Sequence, residues 1–189
     1  MSTAVDVRPD RAAAVRAALR KLVAERGFHG ASMSAVASEA GVATGTAYVH
    51  YASKDELVHA AYLEAKRELG AAAVAAVDRL SPPAARFRAL WTGVYRHLTE
   101  VPNRARFLVQ VDASPYRASA HALAMATDGD PLMEVAGAPD MVEALAELPA
   151  EILYDLGLGP AVRLAATEAV LDERERDRVA EACWRAVSR

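Results

Sequence analysis

Residues 40–57 read AGVATGTAYVHYASKDEL. Gly41 and Gly45 interrupt an otherwise helical pattern, and Thr44, Thr46, Tyr48, His50 and Tyr51 crowd the few positions after the first glycine. Ser53-Lys54-Asp55-Glu56 then has the S-x-x-E spacing of a capping box, which marks a new helix start. Residues 44–50 are long enough for only about two helical turns. Upstream, Ser32 is placed to cap a second short helix running through Ala40, with Val36 and Ala40 on its buried side. Gly41-Val42 makes the turn, where a left-handed backbone favours glycine. A longer helix precedes both, from about Pro9 to Arg26. Val15, Leu19, Leu22 and Val23 give it a core face, and Gly27 ends it.

Two short helices joined by a glycine turn and backed by a longer one make a helix-turn-helix. The second helix of such a unit lies in the DNA major groove and offers its N-terminal residues to base edges. That reading explains the composition of the stretch. Hydroxyls are hydrogen-bond partners for phosphate oxygens and base edges, and Gly45 removes a side chain where the helix approaches the duplex. The unpaired N–H groups and positive dipole end of a helix N-terminus favour phosphate.

Gly27-Phe28, Ser32, Val36-Ala37, Ala40-Gly41-Val42, Gly45-Thr46, Tyr48, His50-Tyr51, Ser53-Lys54 and Leu57 match, at fixed spacing and without gaps, the pattern of the tetracycline-repressor (TetR) family. The chain resembles that family of bacterial regulators over about residues 10–60. The resemblance implies a DNA-binding set of Ser32, Thr44, Gly45, Thr46, Tyr48, His50 and Lys54. Thr44 and Thr46 would touch bases or nearby phosphates, Tyr48 and His50 phosphate oxygens, and Lys54 the phosphate backbone. Tyr51, where the family more often has Phe, would be core. Two departures matter. Ala43 stands where Ser or Thr usually caps the recognition helix, so that cap is either missing or supplied by Thr44. The recognition helix also lacks Arg and Lys, so bidentate reading of guanine is not expected from it. Arginine before Arg11, or Lys54, must supply much of the positive charge.

The bulk numbers fit this reading. The chain has 189 residues, 53% hydrophobic and 25% charged, with a formal net charge of −3. Residues 1–68 carry +1 and the remainder −4, a mild asymmetry that permits a DNA-facing N-terminus. Cys183 is the one cysteine, so no disulfide framework is possible. No signal-peptide pattern opens the sequence and no apolar run is long enough to span a bilayer, so a cytoplasmic protein is expected. The histidines show no metal spacing, GVATGT lacks the Lys and preceding strand of a phosphate loop, and no catalytic constellation is visible. No cofactor, metal or enzymatic activity is expected.

Helical periodicity without alternating strand patterns makes the whole chain all-α. Expected helices run from Ser53 to about Gly70, from about Pro83 to Glu100, from Pro102 to Asp112, from Ser114-Pro115 to about Thr127, near 131–136, from Pro149 to about Thr167 with an interruption or strain at 157–160, and from Asp172 to Val187. Residues 137–148 read as an irregular connection. The domain division is 1–52 for DNA binding and 53–189 for a larger helical domain.

By resemblance that second domain binds an effector and dimerises. Trp91, Tyr95, Phe107, Gln110, His121 and Met125 are candidate lining residues for a largely apolar small molecule. The last two helices would form the homodimer interface through Leu153, Leu156, Val162, Ala166, Val179, Ala182 and Val187. The expected function is a ligand-responsive transcriptional regulator, a repressor that its effector releases from operator DNA. The alternatives are an all-α small-molecule-binding protein or enzyme that does not bind DNA, and a DNA-binding regulator without a small-molecule effector.

Overall fold

The computed structural model describes residues 10–189. Among these, twelve α-helices form and no β-strand does. The N-terminal unit holds α1 (Arg11–Arg26), α2 (Met33–Glu39) and α3 (Thr44–His50), with a 3₁₀ turn over Phe28–Gly30. The long α4 (Lys54–Val74) leads into the body. There follow α5 (Pro83–Glu100), α6 (Pro102–Asp112), α7 (Arg117–Met125), α8 (Pro131–Ala136), α9 (Pro139–Ala144), α10 (Ala150–Gly157), α11 (Gly159–Ala166) and α12 (Glu173–Val187).

The boundaries have local causes. Asp10 caps α1 by accepting from Ala13 N (3.1 Å), so α1 starts at Arg11; Pro9 lies outside the described residues. Ser32 caps α2 through Ala35 N (3.2 Å), as its sequence position predicts. Ser53 caps α4 through Glu56 N (3.1 Å), but the Glu56 carboxylate returns to Ala52 N (2.8 Å), one residue short of the reciprocal box. A complete box forms instead at α12, where Asp172 and Glu175 exchange bonds of 2.8 and 2.9 Å. Proline occupies the first turn of α5, α6, α8, α9 and α11, where its missing N–H costs no helical bond.

Of the two outcomes left open at 157–160, interruption is the one that occurs: the chain turns at Leu158, dividing α10 from α11. Pro160 cannot donate back into α10, and its ring would crowd the carbonyl four residues earlier. The break lets the two halves face differently. Ala161, Val162 and Ala165 of α11 are buried against the body, whereas Ile152 and Leu156 of α10 are exposed. One expectation is corrected: residues 137–148 are not wholly irregular, because Pro139–Ala144 closes one short helix, α9.

One buried apolar cluster runs through both units. Val15, Leu19, Leu22 and Val23 of α1 are all buried, as their spacing predicts, and meet Val36, Ala37, Ala47, Leu57 and Val58. Helix α4 packs on α1 at one side and on α5, α7 and α8 elsewhere, so it belongs to both units. Its approach to α5 is close at Gly93, where a Cβ would lie 2.7 Å from the Ala73 carbonyl oxygen. Polar contacts reinforce the α1–α4 seam. Arg16 donates to Glu64 (2.8 Å), and Arg20 donates to Glu68 (2.9 Å).

Candidate nucleic-acid interface

The orientation of α3 follows from two buried residues. Ala47 is fully buried, and Tyr51, immediately after the helix, is buried as expected. The Tyr51 hydroxyl accepts from Arg16 Nη1 (2.6 Å) and donates to the Ala12 carbonyl (3.4 Å). Arg16 in turn pairs with Glu64 of α4. A phenylalanine would fill the same space but leave this guanidinium without its α3-side partner. The hydroxyl therefore ties the end of α3 to both α1 and α4. These contacts also hold the Arg16 guanidinium well above its usual range, through the Glu64 bond first and the Tyr51 bond second, against burial.

With Ala47 and Tyr51 turned inward, the opposite side of α3 faces solvent. At 3.6 residues per turn, positions 44, 45, 48 and 49 share one face and positions 46 and 50 an adjacent one. Thr44, Gly45, Tyr48, Val49 and His50 are exposed and Thr46 is half-buried, with Tyr48 at 50% and Val49 at 82%. The side chains of Thr44, Thr46, Tyr48 and His50 make no hydrogen bond among the described residues. A Cβ at Gly45 would meet nothing within 4 Å. Its missing side chain thus relieves no crowding inside the protein and leaves room only on the outward face. Ala43 is the N-cap and provides no side-chain bond, and Thr44 does not replace it.

Val49 carries no hydrogen-bonding group, and the sequence reading passed over it for that reason. Its side chain, 82% exposed beside Tyr48, adds an apolar group to the outward face of α3. Lys54 takes a different position from a free phosphate ligand. Its Nζ donates to the Phe28 carbonyl (2.6 Å) and lies 5.8 Å from the centroid of that ring. Burial pushes its ammonium below the usual lysine range. It pins the start of α4 to the 3₁₀ turn, using one of its three donors. Ser32 is exposed at the start of α2, its hydroxyl engaged with Ala35 N and 3.0 Å from Ser34 Oγ. Arg8, the arginine before Arg11, lies outside the described residues.

The turn between α2 and α3 depends on Gly41, which has φ +66°. A Cβ there would meet nothing within 4 Å, so the requirement is conformational and not steric packing. Gly41→Ala should cost about 1 kcal/mol and lower Tm by about 2–4 °C for a chain of this size. A thermal melt at fixed protein concentration checks this. An unchanged Tm would mean that the turn can adopt another backbone.

The six candidate lining residues do not come together in one cavity. Trp91 and Tyr95 are buried and stacked (centroids 5.6 Å apart, planes at 10°), and the Tyr95 hydroxyl bonds Ala169 O (2.6 Å) and Leu171 N (3.0 Å). His121 stacks on Tyr62 and bonds Asp112 (2.9 Å). Gln110 is exposed beside Gly27, and Met125 is 63% exposed. Phe107 does line a cavity, a half-open cleft of about 390 Å³ where α1 meets α4, α5 and α6. A smaller recess of about 250 Å³, with Asp112, Arg117, Tyr154, Asp155 and Arg163 among its walls, lies between α6, α7 and α10–α11.

A buried three-helix unit that turns a short, hydroxyl-bearing helix outward defines a helix-turn-helix DNA-binding protein. Residues 15–61 match the family model for bacterial regulatory proteins of the tetR family, and residues 82–188 match the tetracyclin repressor-like C-terminal domain. The chain belongs to the TetR family of transcriptional regulators. It is 27% identical over 184 residues to an HTH-type transcriptional regulator of Haemophilus influenzae, covering 95% of this chain and 97% of that one. The crystal structure of a TetR-family regulator from Haemophilus influenzae superposes with a TM-score of 0.79 at 26% identity, over 98% of this chain and all of that one. A tetR family regulator from a Shewanella species gives 0.80 at 26% identity, over 95% and 98%.

Proposed function

We propose that this regulator binds operator DNA as a homodimer in the cytoplasm, inserts α3 into the major groove, and is released by a small-molecule effector. The observation that carries the reading is the outward stripe of Thr44, Gly45, Tyr48 and Val49 on a helix anchored by Ala47 and Tyr51. Thr44 and Tyr48 contact base edges or phosphates, and Thr46 and His50 the flanking backbone. Ser32 meets phosphate from the start of α2. Lys54 adds positive charge from behind while holding the frame.

Dimerisation is supported by α10. Ile152 and Leu156 are one turn apart and exposed, and Leu148, in the loop just before the helix, is exposed as well. Val162 and Val187, which the sequence groups with the dimer face, are buried in their own chain. The interface therefore centres on α10 and the outer face of α12, and Trp184 belongs to the body through its packing on Phe87 (5.4 Å). Effector response requires two arrangements of the dimer that the ligand and the operator favour differently. Helix α4 is the element able to couple them. It touches α1 at the DNA-binding end, and Tyr116, at the start of α7, donates to Asp55 in its first turn (2.8 Å).

The test is binding to a duplex selected in vitro from a random pool. The selected sequence should be an inverted repeat, because a two-fold dimer reads two related half-sites. The logarithm of affinity should fall linearly with the logarithm of salt concentration, with a slope of about −4 or steeper, since each phosphate neutralised contributes about −0.9. A slope near zero, or no enriched sequence, would remove DNA binding as the activity.

A further inference from the structure

From the 390 Å³ cleft between α1 and α5–α6, we infer an effector site for a small amphipathic carboxylate, wedged directly between the DNA-binding unit and the body. The site rests on the ligand-responsive reading above and names both its place and its ligand class. Four buried apolar residues, Ala65, Leu98, Phe107 and Leu108, back the cleft, and the exposed Ala17 and Val101 stand at its rim. Its polar lining is mainly cationic, with Arg20, Lys21 and Arg104 against Glu68. That combination suits a hydrocarbon body with one anionic end.

The three cations are not equivalent. Arg20 is committed to Glu68 (2.9 Å) and lies near Glu64 (3.6 Å). Lys21 is paired with Glu39. Arg104 is held by a single nitrogen, Nη1, which donates to the His97 carbonyl (2.9 Å) and reaches Glu100 at 3.4 Å. Glu100 is largely exposed, so that pair is weak and readily replaced. A guanidinium anchored at one corner presents its remaining donors in a fixed fork, the geometry that takes a carboxylate bidentately. His97 also lines the cleft. Burial first, and the Arg104 charge second, lower its imidazole from the usual range, so it stays neutral beside the cation. Asn103, bonded to Glu25 of α1 (3.4 Å), is the other uncharged polar group there.

The position gives the ligand leverage. Ala17, Arg20 and Lys21 belong to α1, whereas His97, Leu98, Asn103, Arg104, Phe107 and Leu108 belong to α5 and α6. An occupant therefore contacts both units at once and favours the α1–α6 spacing that fits it. Because α1 carries α3 through Arg16 and Tyr51, that choice sets the separation of the recognition helices in a dimer.

Decanoate serves as the probe and 1-decanol as its uncharged analogue, by calorimetry on the full-length protein. Decanoate should bind saturably at one per chain and about tenfold or more tighter than 1-decanol, the worth of hydrogen bonds to a charged group. Arg104→Gln should erase that preference. Ala17→Trp, placed at an exposed position on the rim, should abolish binding while leaving the melting temperature of the free protein unchanged. Non-saturable binding, equal affinity for 1-decanol, or full affinity in Ala17→Trp would overturn the inference while leaving DNA binding intact. Saturable decanoate binding that leaves operator affinity unaltered would uphold the site and remove the effector response instead.

Discussion

Replacing Thr44 and Tyr48 together by alanine is expected to lower operator affinity by about two to four orders of magnitude at fixed salt, with almost no change in Tm. The size follows from geometry and symmetry. Both side chains project from the exposed face of α3, one turn apart, and neither contributes to the buried cluster. A good groove contact is worth about 1–3 kcal/mol, and a hydrogen bond to a charged phosphate falls in a similar range. Each replacement is made twice in a dimer, so losses that are modest per chain combine across the two half-sites. Stability is spared because α3 is fixed by Ala47, Tyr51 and the Arg16–Glu64 pair, which the double variant leaves in place. Fluorescence anisotropy on the selected duplex, paired with a thermal melt, reads both quantities. A loss under about fivefold would show that this face of α3 does not enter the groove, whatever the chain binds.

The same variant separates specificity from charge. Thr44 and Tyr48 are uncharged, so the salt slope should stay nearly constant while its intercept falls. Lys54→Gln should behave in the opposite manner in one respect and resemble a structural change in another. It removes a charge near the duplex and also the bond to the Phe28 carbonyl that holds the start of α4. A fall in both slope and Tm is therefore expected for Lys54→Gln, and a fall in neither for the α3 pair.

The helix-turn-helix was legible because its signals are local. Ser32 and Ser53 announce their helices through backbone N–H groups three residues on, and Gly41 marks a turn that only its φ value requires. The role of Tyr51 was legible only in part. Its burial follows from its position, but the Arg16 and Ala12 partners of its hydroxyl come from 35 and 39 residues away and leave no pattern near it. Lys54 shows the same limit, since its partner is a backbone carbonyl 26 residues upstream. In the body, apolar periodicity reports that a face is covered and not what covers it. Trp91, Tyr95 and Phe107 read alike in the sequence and all three are packed core, yet only Phe107 also backs a cleft. The cleft itself depends on the crossing of α1 with α6, a long-range arrangement that periodicity within one helix cannot encode. The turn at Leu158 was half visible, because Gly-Leu-Gly-Pro is compatible either with a strained helix or with two helices facing different ways.

Trp91→Ala is expected to lower unfolding free energy by about 3–5 kcal/mol, the largest single-site stability effect in the body. Trp91 has no solvent exposure and stacks on Tyr95 at 5.6 Å. Its indole Nε1 finds no oxygen acceptor among the described residues. The residue therefore contributes through apolar contact, and truncation removes that contact and leaves a void. The void cannot close easily. Tyr95 is held by Ala169 and Leu171, which fasten the segment between α11 and α12, and α5 is pressed against α4 at Gly93. Urea unfolding at fixed protein concentration should show a lower midpoint with an unchanged m-value, the signature of lost stability without a change in the surface exposed. Trp91→Phe should recover much of the loss, since the aromatic face on Tyr95 is kept. Decanoate affinity provides the opposing readout. If Trp91 bordered an effector cavity, Trp91→Ala would enlarge that cavity and change ligand binding at little cost in stability. If it is core, the folded fraction of Trp91→Ala should bind decanoate as the parent does, while Arg104→Gln loses the preference for decanoate over 1-decanol and keeps its midpoint. A stability loss below about 1 kcal/mol would show that the surroundings of Trp91 collapse freely or were never close-packed.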